Sequence, residues 1–139
     1  MTEADRIIKQ LGLSPHPEGG HYRQTWAAEG PGRPSGTCIY FLLRAGDSSH
    51  WHKVDAAEIW HFYAGAPLLL SIAETEAGPR RNLLLGPDLT TDQQPQRIVP
   101  PNSWQKAETT GAYSLVGCTV SPGFQFEHFT LAAPDFDIS

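Results

Sequence analysis

About ten short strand-like segments, separated by turns, run through almost the whole chain, and one segment has the pattern of a helix. The turns are supplied by 13 glycines and 12 prolines, which are high counts for 139 residues. The pattern lacks the crossover helices that parallel strands require between them. The sequence therefore predicts an all-β, antiparallel sandwich or barrel. Its length is that of one domain, residues 1–139.

The predicted helix lies at the start of the chain. Thr2 can cap its first turn, Asp5 follows three residues later as in a capping box, and Gly12 ends it. We therefore expect residues 1–12 to form a short N-terminal helix with its caps. We expect residues 13–139 to form the β-structure.

The predicted strands are short, and one of them is nearly all apolar. Residues 37–44 read Thr-Cys-Ile-Tyr-Phe-Leu-Leu-Arg, which is typical of a central strand that is buried on both faces. Residues 50–54 and 58–63 are predicted to pair as a β-hairpin. The other expected strands are residues 21–27, 67–73, 80–85, 96–99, 104–108, 113–120 and 126–131.

Charge and composition exclude some partners. A formal net charge of −5 repels nucleic acids and anionic membranes, so neither is expected as a partner. The charged N-terminus has no apolar signal-peptide region, and the apolar stretch around residues 64–72 is too short to span a bilayer. The protein is therefore expected to be cytoplasmic. Cys38 and Cys118 are then expected to be reduced, although one disulfide stays open as an alternative.

Two imidazoles and a carboxylate are spaced for a metal site. His50 and His52 lie two residues apart, so strand alternation places them on one face. Residues 53–57 are polar or small and can reverse the chain, which would bring Glu58 back beside them. This ligand set suits Fe, Mn, Ni or Zn and leaves positions open for substrate. The alternative is a pair of strand histidines that are hydrogen-bonded in a polar pocket without metal.

Three further side chains are judged by strand alternation. Arg23 is predicted to face the pocket, where its guanidinium could bind a carboxylate or phosphate, although a plain surface charge stays open. Tyr40 is predicted to present its hydroxyl to the pocket rather than to belong to the barrel wall. His61 lies three residues after Glu58 and should face away from it, unless a bulge intervenes.

Several motifs together resemble one protein family. The spacing His50-x-His52-x5-Glu58-x6-Gly65 is similar to the first motif of the cupin superfamily. The second cupin motif resembles Pro100-Pro-Asn-Ser-Trp-Gln105, with glutamine where that motif has its histidine. The small cupin-5 or DUF985 group has further similar stretches: His16-Pro-Glu-Gly-Gly20, Tyr40-Phe-Leu-Leu43, His50-Trp-His52, Glu58-Ile-Trp-His-Phe-Tyr-Ala-Gly-Ala-Pro67, Leu85-Gly-Pro-Asp88 and Leu115-Val-Gly-Cys-Thr-Val-x-Pro-Gly-Phe124.

The resemblance implies a fold and an assembly. It implies a jelly-roll β-barrel (a double-stranded β-helix), usually a homodimer, with a pocket in the barrel mouth. It also implies that Gln105 is the fourth metal ligand, which as a neutral amide would bind a transition metal more weakly than imidazole. The fold resembles that of deoxysugar epimerases, which by itself says little about function.

These observations predict a protein that binds a small polar metabolite in a metal-capable pocket. A divalent transition metal would be held by His50, His52 and Glu58, with Gln105 as a ligand or as a hydrogen-bond partner of the substrate. The favoured chemistry is isomerase- or epimerase-type proton transfer on a sugar-like or hydroxycarbonyl compound. The alternatives are a metal-dependent dioxygenase, a metal-free epimerase with His50 or His52 as base and Tyr40 as acid, and a non-enzymatic binding module.

Overall fold

A computed structural model describes residues 1–139 and begins with the predicted helix, α1 (Glu3–Leu11). The capping box is formed as expected, because Thr2 Oγ1 accepts from the Asp5 amide and Asp5 Oδ2 accepts from the Thr2 amide. Gly12 ends the helix in the left-handed conformation, at φ 66°. None of the helices has the length and apolar character that crossing a bilayer requires.

The rest of the chain forms twelve strands. Most lie within a residue or two of the predicted bounds, but the last predicted strand begins late, because residues Phe126–His128 form a one-turn 3-10 helix. The strands are β1 (Ser14–Pro15), β2 (His21–Ala27), β3 (Thr37–Arg44), β4 (Ser49–Val54), β5 (Ala57–Gly65), β6 (Leu68–Ala73), β7 (Arg81–Leu85), β8 (Gln93–Gln94), β9 (Gln96–Val99), β10 (Trp104–Thr109), β11 (Tyr113–Ser121) and β12 (Phe129–Leu131).

The strands form two six-stranded sheets. One sheet has the order β1-β2-β3-β11-β5-β9 and the other the order β12-β4-β10-β6-β7-β8. Every pairing is antiparallel except that of β7 with the two-residue β8. The prediction of an all-β fold with one short N-terminal helix is confirmed.

The predicted hairpin of residues 50–54 with 58–63 is wrong. Strand β4 pairs with β10 and β12, whereas β5 pairs with β11 and β9 in the other sheet. The short connection at Asp55 and Ala56 therefore carries the chain from one sheet to the other. Turn-like residues between two strands indicate a change of direction, but they do not specify which strands pair afterwards.

The main core lies between the two sheets. Phe41 and Leu43 of β3 contribute to it, as do Trp60 of β5 and Leu68 and Leu70 of β6. These side chains are at most 1% exposed. The predicted central strand β3 is buried from Phe41 to Leu43, since its outer face lies against α1 and the side chain of Leu42 is also fully covered, whereas residues 38–40 are partly buried.

Candidate functional site

A cavity of about 240 Å³ lies at one end of the space between the sheets. Strands β2, β3, β5 and β11 of one sheet and β4 of the other contribute to its wall. Two histidines and two glutamates face it, and neither lysine nor arginine does. The lining residues are His16, Glu18, Tyr22, Gln24, Thr37, Ile39, His52, Val54, Glu58, Cys118, Val120, Phe124 and Phe126.

A tight turn between β1 and β2 places His16 and Glu18. The amide of Gly19 donates to the His16 carbonyl at 2.9 Å, and the His16 amide donates to the Gly20 carbonyl at 3.0 Å. Gly19 has φ 109°, and a Cβ atom there would collide with the carbonyl oxygen of Ser48. The turn is fixed to β4 because the His50 amide donates to the Glu18 carbonyl at 2.8 Å.

Glu18 is a buried carboxyl group without a cationic partner. Its Oε2 accepts a hydrogen bond from the hydroxyl of Ser49 and lies 3.4 Å from Nε2 of His52. Burial raises the pKa of Glu18 to about 8, and the hydrogen bond from Ser49 only partly opposes this. The carboxyl group is therefore mostly protonated at neutral pH.

His52 presents an unprotonated nitrogen to the cavity. Its Nδ1 lies 2.7 Å from the carbonyl oxygen of His50, which can only accept, so Nδ1 donates and the neutral ring keeps a lone pair on Nε2. Burial lowers the pKa of His52, while the nearby charge of Glu58 opposes the shift. At neutral pH, His52 therefore has a free basic nitrogen beside the protonated carboxyl of Glu18.

Glu58 is held by Gln105. The amide Nε2 of Gln105 donates to Glu58 Oε1 at 2.8 Å, and its Oε1 accepts from the indole of Trp60 at 2.8 Å. An indole N–H can only donate, which fixes the orientation of the amide. Burial raises the pKa of Glu58, and the charge of His52 opposes this shift.

His16 completes the polar part of the wall. Its Nδ1 accepts from the backbone amide of Glu18 at 3.1 Å, so its neutral ring carries the proton on Nε2. Burial, with a smaller contribution from the charge of His52, lowers the pKa of His16 to about 4. His16 is therefore neutral at neutral pH.

His50 does not line the cavity, contrary to the prediction. Between the pairs His52–Gln105 and Ser49–Ala107, two residues of β4 lie opposite Lys106 alone, which is a β-bulge. The bulge breaks the alternation on which the prediction rested. The Nε2 of His50 instead donates to the carbonyl oxygen of Ala133 at 2.8 Å.

Tyr40 and Arg23 also lie outside the cavity, so the prediction that they face it is wrong. Tyr40 packs with the α1 side of the first sheet, and its ring contacts that of Tyr63 at a centroid distance of 6.3 Å. Arg23 donates to the carbonyl oxygen of Leu11 at 3.1 Å. The cavity-facing residues on these strands are their neighbours, such as Tyr22 and Ile39.

His61 faces away from Glu58, as predicted. The pairing of β5 with β11 is regular from Glu58 to His61, so no bulge reverses the alternation. The Nε2 of His61 lies 3.0 Å from the hydroxyl of Thr119 on the outer surface.

The predicted four-ligand metal set is not assembled. No group of three or more histidine, cysteine, aspartate or glutamate side chains is arranged to hold a metal ion. His50 is turned away, and Gln105 directs its oxygen, the atom a metal would bind, at Trp60. Of the predicted set, His52 and Glu58 line the cavity.

The sequence interpretation missed His16 and Glu18. They belong to the run His16-Pro-Glu-Gly-Gly20, which enters the sequence interpretation only as part of a family resemblance. The available signal was an imidazole and a carboxyl group in a glycine-rich turn directly before a strand. Such turns often carry functional side chains on a rigid β-scaffold.

Comparisons with known proteins agree with the fold. Residues 5–132 match the family described as Cupin superfamily (DUF985). The crystal structure of protein SO0799 from Shewanella oneidensis is 40% identical, with a TM-score of 0.89 over 96% of this chain and 86% of that one. A hypothetical protein from Leishmania major is 29% identical, with a TM-score of 0.88 over 95% and 88% of the two chains. The search of curated proteins gave no match.

More distant structures share the fold alone. Oxalate decarboxylase from Bacillus subtilis is 14% identical, with a TM-score of 0.66, and the match covers 84% of this chain but 29% of that enzyme. A cupin 2 conserved barrel domain protein from Rhodopseudomonas palustris is also 14% identical, with a TM-score of 0.57 over 90% and 81% of the two chains. Identities this low carry no information about substrate.

Proposed function

Because this chain belongs to the DUF985 family of the cupin superfamily, we propose that its barrel binds a small polar molecule and that His52 and Glu18 exchange protons with it. The cavity has the volume of about eight water molecules, which limits the bound part of the ligand to a small compound. The favoured class of reaction is isomerisation or epimerisation next to a carbonyl group.

One observation carries the proposal: a basic nitrogen and an acidic carboxyl group lie 3.4 Å apart on the cavity wall. Burial lowers the pKa of His52 and raises that of Glu18, so that the base is unprotonated and the acid protonated in the same pH range. Opposite shifts on neighbouring groups are typical of acid–base pairs in enzymes.

The chemistry follows from these two protonation states. His52 Nε2 removes a proton from the carbon next to the carbonyl, and the electrons of that C–H bond form a carbon–carbon double bond. The carbonyl oxygen takes up the displaced electron pair together with the proton of Glu18. In a hydroxycarbonyl compound the resulting enediol then takes a proton from His52 at the former carbonyl carbon and gives the proton of the neighbouring hydroxyl group to Glu18, which forms the isomer and restores both groups. No oxidant or reductant is required.

Glu58 supports the base. Its charge favours the protonated form of His52, which is the form that arises when His52 accepts a proton from the substrate. Gln105 and Trp60 hold Glu58 through the two hydrogen bonds described above. We assign Glu58 a positioning and electrostatic role, and Gln105 the support of Glu58.

The experiment is an isotope-exchange assay. The protein, treated with EDTA, is incubated with hydroxyacetone or dihydroxyacetone in D₂O, and NMR follows the loss of the hydrogen next to the carbonyl. The His52→Asn and Glu18→Gln variants should each lower the exchange rate by about 10²- to 10⁴-fold, as expected for the loss of a general acid or base. The matched control is His61→Gln, which alters a histidine of the outer surface.

Three results decide between the alternatives. Exchange that survives His52→Asn contradicts the proposal. Binding of the probes without exchange favours a non-enzymatic ligand-binding module. Exchange that disappears with EDTA and returns with added metal favours metal chemistry.

A divalent transition metal (Fe, Mn, Ni or Zn) is the competing proposal, and it would also serve the dioxygenase alternative. Family membership supports it, but the side chains do not fit a metal ion. His50 and Gln105 make hydrogen bonds elsewhere. Of the predicted ligand set, only His52 and Glu58 face the cavity. Elemental analysis of protein purified without chelator tests it, with His52→Asn as the comparison. Stoichiometric metal that is lost in the variant would support a metal site.

We also propose that the protein is a homodimer. Strand β9 is an unpaired edge of its sheet, and Ile98 on it is 63% exposed. Exposed edge strands with apolar side chains favour pairing with another chain. Light scattering coupled to size-exclusion chromatography measures the mass, and a monomer at all concentrations would contradict the proposal.

A further inference from the structure

The cavity combines buried acids with aromatic walls and has no lysine or arginine side chain. Glu18 and Glu58 are each more than nine-tenths buried and face it. Their ionisable neighbours are His16 and His52, and burial lowers the pKa of both imidazoles, so neither supplies a positive charge at neutral pH. The chain therefore supplies no countercharge to Glu58, while Glu18 is held as a neutral acid.

Part of the wall is aromatic. Phe124 and Phe126 meet at an interplanar angle of 84°, with their centroids 5.0 Å apart, and form a corner of the cavity. Tyr22 lines the cavity from β2, where its ring packs on that of His16 at 4.4 Å. The faces of such rings carry partial negative charge and attract cations.

Hydrogen bonds made by the backbone of residues 123 and 124 fix the aromatic corner in place. The Phe124 amide donates to the hydroxyl of Thr37 at 2.9 Å, and the Gly123 amide donates to the carbonyl of Pro34 at 2.8 Å. The Nε of Arg33 donates to the Gly123 carbonyl at 2.8 Å, while its other nitrogens bind Asp55 at 2.7 and 3.0 Å. Arg33 is thus occupied with Asp55 and does not line the cavity.

We infer that the ligand of this cavity is a small organic ammonium compound, whose positive charge pairs with Glu58 while its carbon substituents contact Phe124 and Phe126. The inference rests on the proposed function and specifies its substrate class. An anionic ligand would meet two carboxyl groups and no cation, which disfavours carboxylates and phosphates. The net charge of −5 adds a long-range attraction for cations.

The test uses three probes of similar size in isothermal titration calorimetry with the full-length protein. Choline carries the cation, 3,3-dimethylbutan-1-ol has the same shape without charge, and lactate is an anion. Choline should bind at least about tenfold more tightly than the neutral alcohol, because desolvated cation–π contacts and ion pairing act on the cation alone.

Variants separate the two contributions. Phe126→Leu keeps the apolar character but removes the ring, and should weaken choline about three- to tenfold while leaving the alcohol within about twofold. Glu58→Gln should also weaken choline selectively. Phe136→Leu is the control, because that ring packs on Trp104 away from the cavity, at 5.4 Å. Thermal melting verifies that each variant is folded.

Binding of the alcohol or of lactate as tightly as choline overturns the inference, and so does the absence of binding by all three probes. Proton exchange of hydroxyacetone that still depends on His52 would then leave the proposed function standing. Loss of that exchange together with retained choline selectivity would remove the function and keep the ligand class.

Discussion

The indole N–H of Trp60 donates a 2.8 Å hydrogen bond to Oε1 of Gln105. Both residues are at most 1% exposed, so neither group has water as an alternative partner. The bond turns the amide nitrogen of Gln105 towards Glu58. A residue that the sequence suggested as a metal ligand thereby becomes the support of a carboxyl group.

Replacing that amide should destabilise the protein. Gln105→Met keeps the volume but leaves the Trp60 indole and the Glu58 carboxyl without a partner, which should lower the free energy of unfolding by about 2–4 kcal/mol. Urea titration measures it. The control is Gln94→Met at an exposed position, which should change the stability by less than about 0.5 kcal/mol. Equal effects would contradict the role assigned to the amide.

Ionisation of Glu18 should lower the stability as the pH rises towards 8. The ordinary pKa of Glu18 is 4.5 and the pKa in the folded protein is about 8, so between these values the folded state holds a proton that the unfolded chain has lost. Stability is then lost with rising pH and levels off above about 8. The raised pKa of Glu58 acts in the same direction.

His16 acts in the opposite direction at lower pH. Its pKa falls from the ordinary 6.5 to about 4, so the unfolded chain takes up a proton first and stability is lost as the pH falls from 6.5 to 4. The lowered pKa of His52 adds to this effect. Between about 4.5 and 6.5 the histidine and glutamate contributions offset each other, so the decline should be clearest from 6.5 to 8.

Urea unfolding at a series of pH values measures these slopes. The Glu18→Gln side chain cannot ionise. This variant should therefore lose less free energy of unfolding between pH 6.5 and 8 than the unchanged protein, by a few kcal/mol at most. Glu127→Gln changes an exposed carboxyl and should leave the decline unaltered. An unchanged slope in Glu18→Gln would show that this carboxyl group is not the cause.

The turn that carries Glu18 should tolerate no side chain at Gly19. Gly19→Ala combines a positive φ of 109° with a collision against the Ser48 backbone, and should cost more than about 2 kcal/mol of stability. Gly30→Ala is the matched control, because Gly30 also has positive φ, at 139°, but has open space around it. Thermal unfolding compares the two, and a smaller loss at Gly19 would contradict the described turn.

The C-terminal segment should contribute to stability through Ile138. This side chain is 1% exposed and packs with Trp51 and Trp104 on the outer face of the second sheet. Ile138→Ala should lower the free energy of unfolding by about 2–4 kcal/mol, because it leaves a cavity. Leu89→Ala, at a position 73% exposed, should have little effect. Similar losses for both variants in urea titration would be inconsistent with this packing.

Local patterns predicted most of the elements. Helix α1 has its capping box, and the strands at residues 21–27 and 37–44 lie where alternation and apolar runs place them. These signals are local, because they depend on neighbours within a few residues. The same holds for His61, whose orientation follows from a regular stretch of β5.

The arrangement of the site depended on non-local facts. The bulge that turns His50 away arises from the register of β4 against β10, some fifty residues later in the chain. The separation of β4 from β5 is likewise decided by which distant strands pair with each. His52 and Glu58 were therefore predicted correctly to face the same cavity, but the prediction relied on a hairpin that does not exist.

The passage of the chain between sheets at Asp55 and Ala56 gives the cavity a property that a hairpin site would lack. His52 belongs to one sheet and Glu58 to the other, so the two side chains stay close only while both sheets are folded and packed together. A compound that bridges them fastens the two sheets together, and its binding energy opposes global unfolding rather than local fraying. Hydrogen exchange should then slow in both sheets at once when the cavity fills, on strands far from the bound molecule as well as beside it.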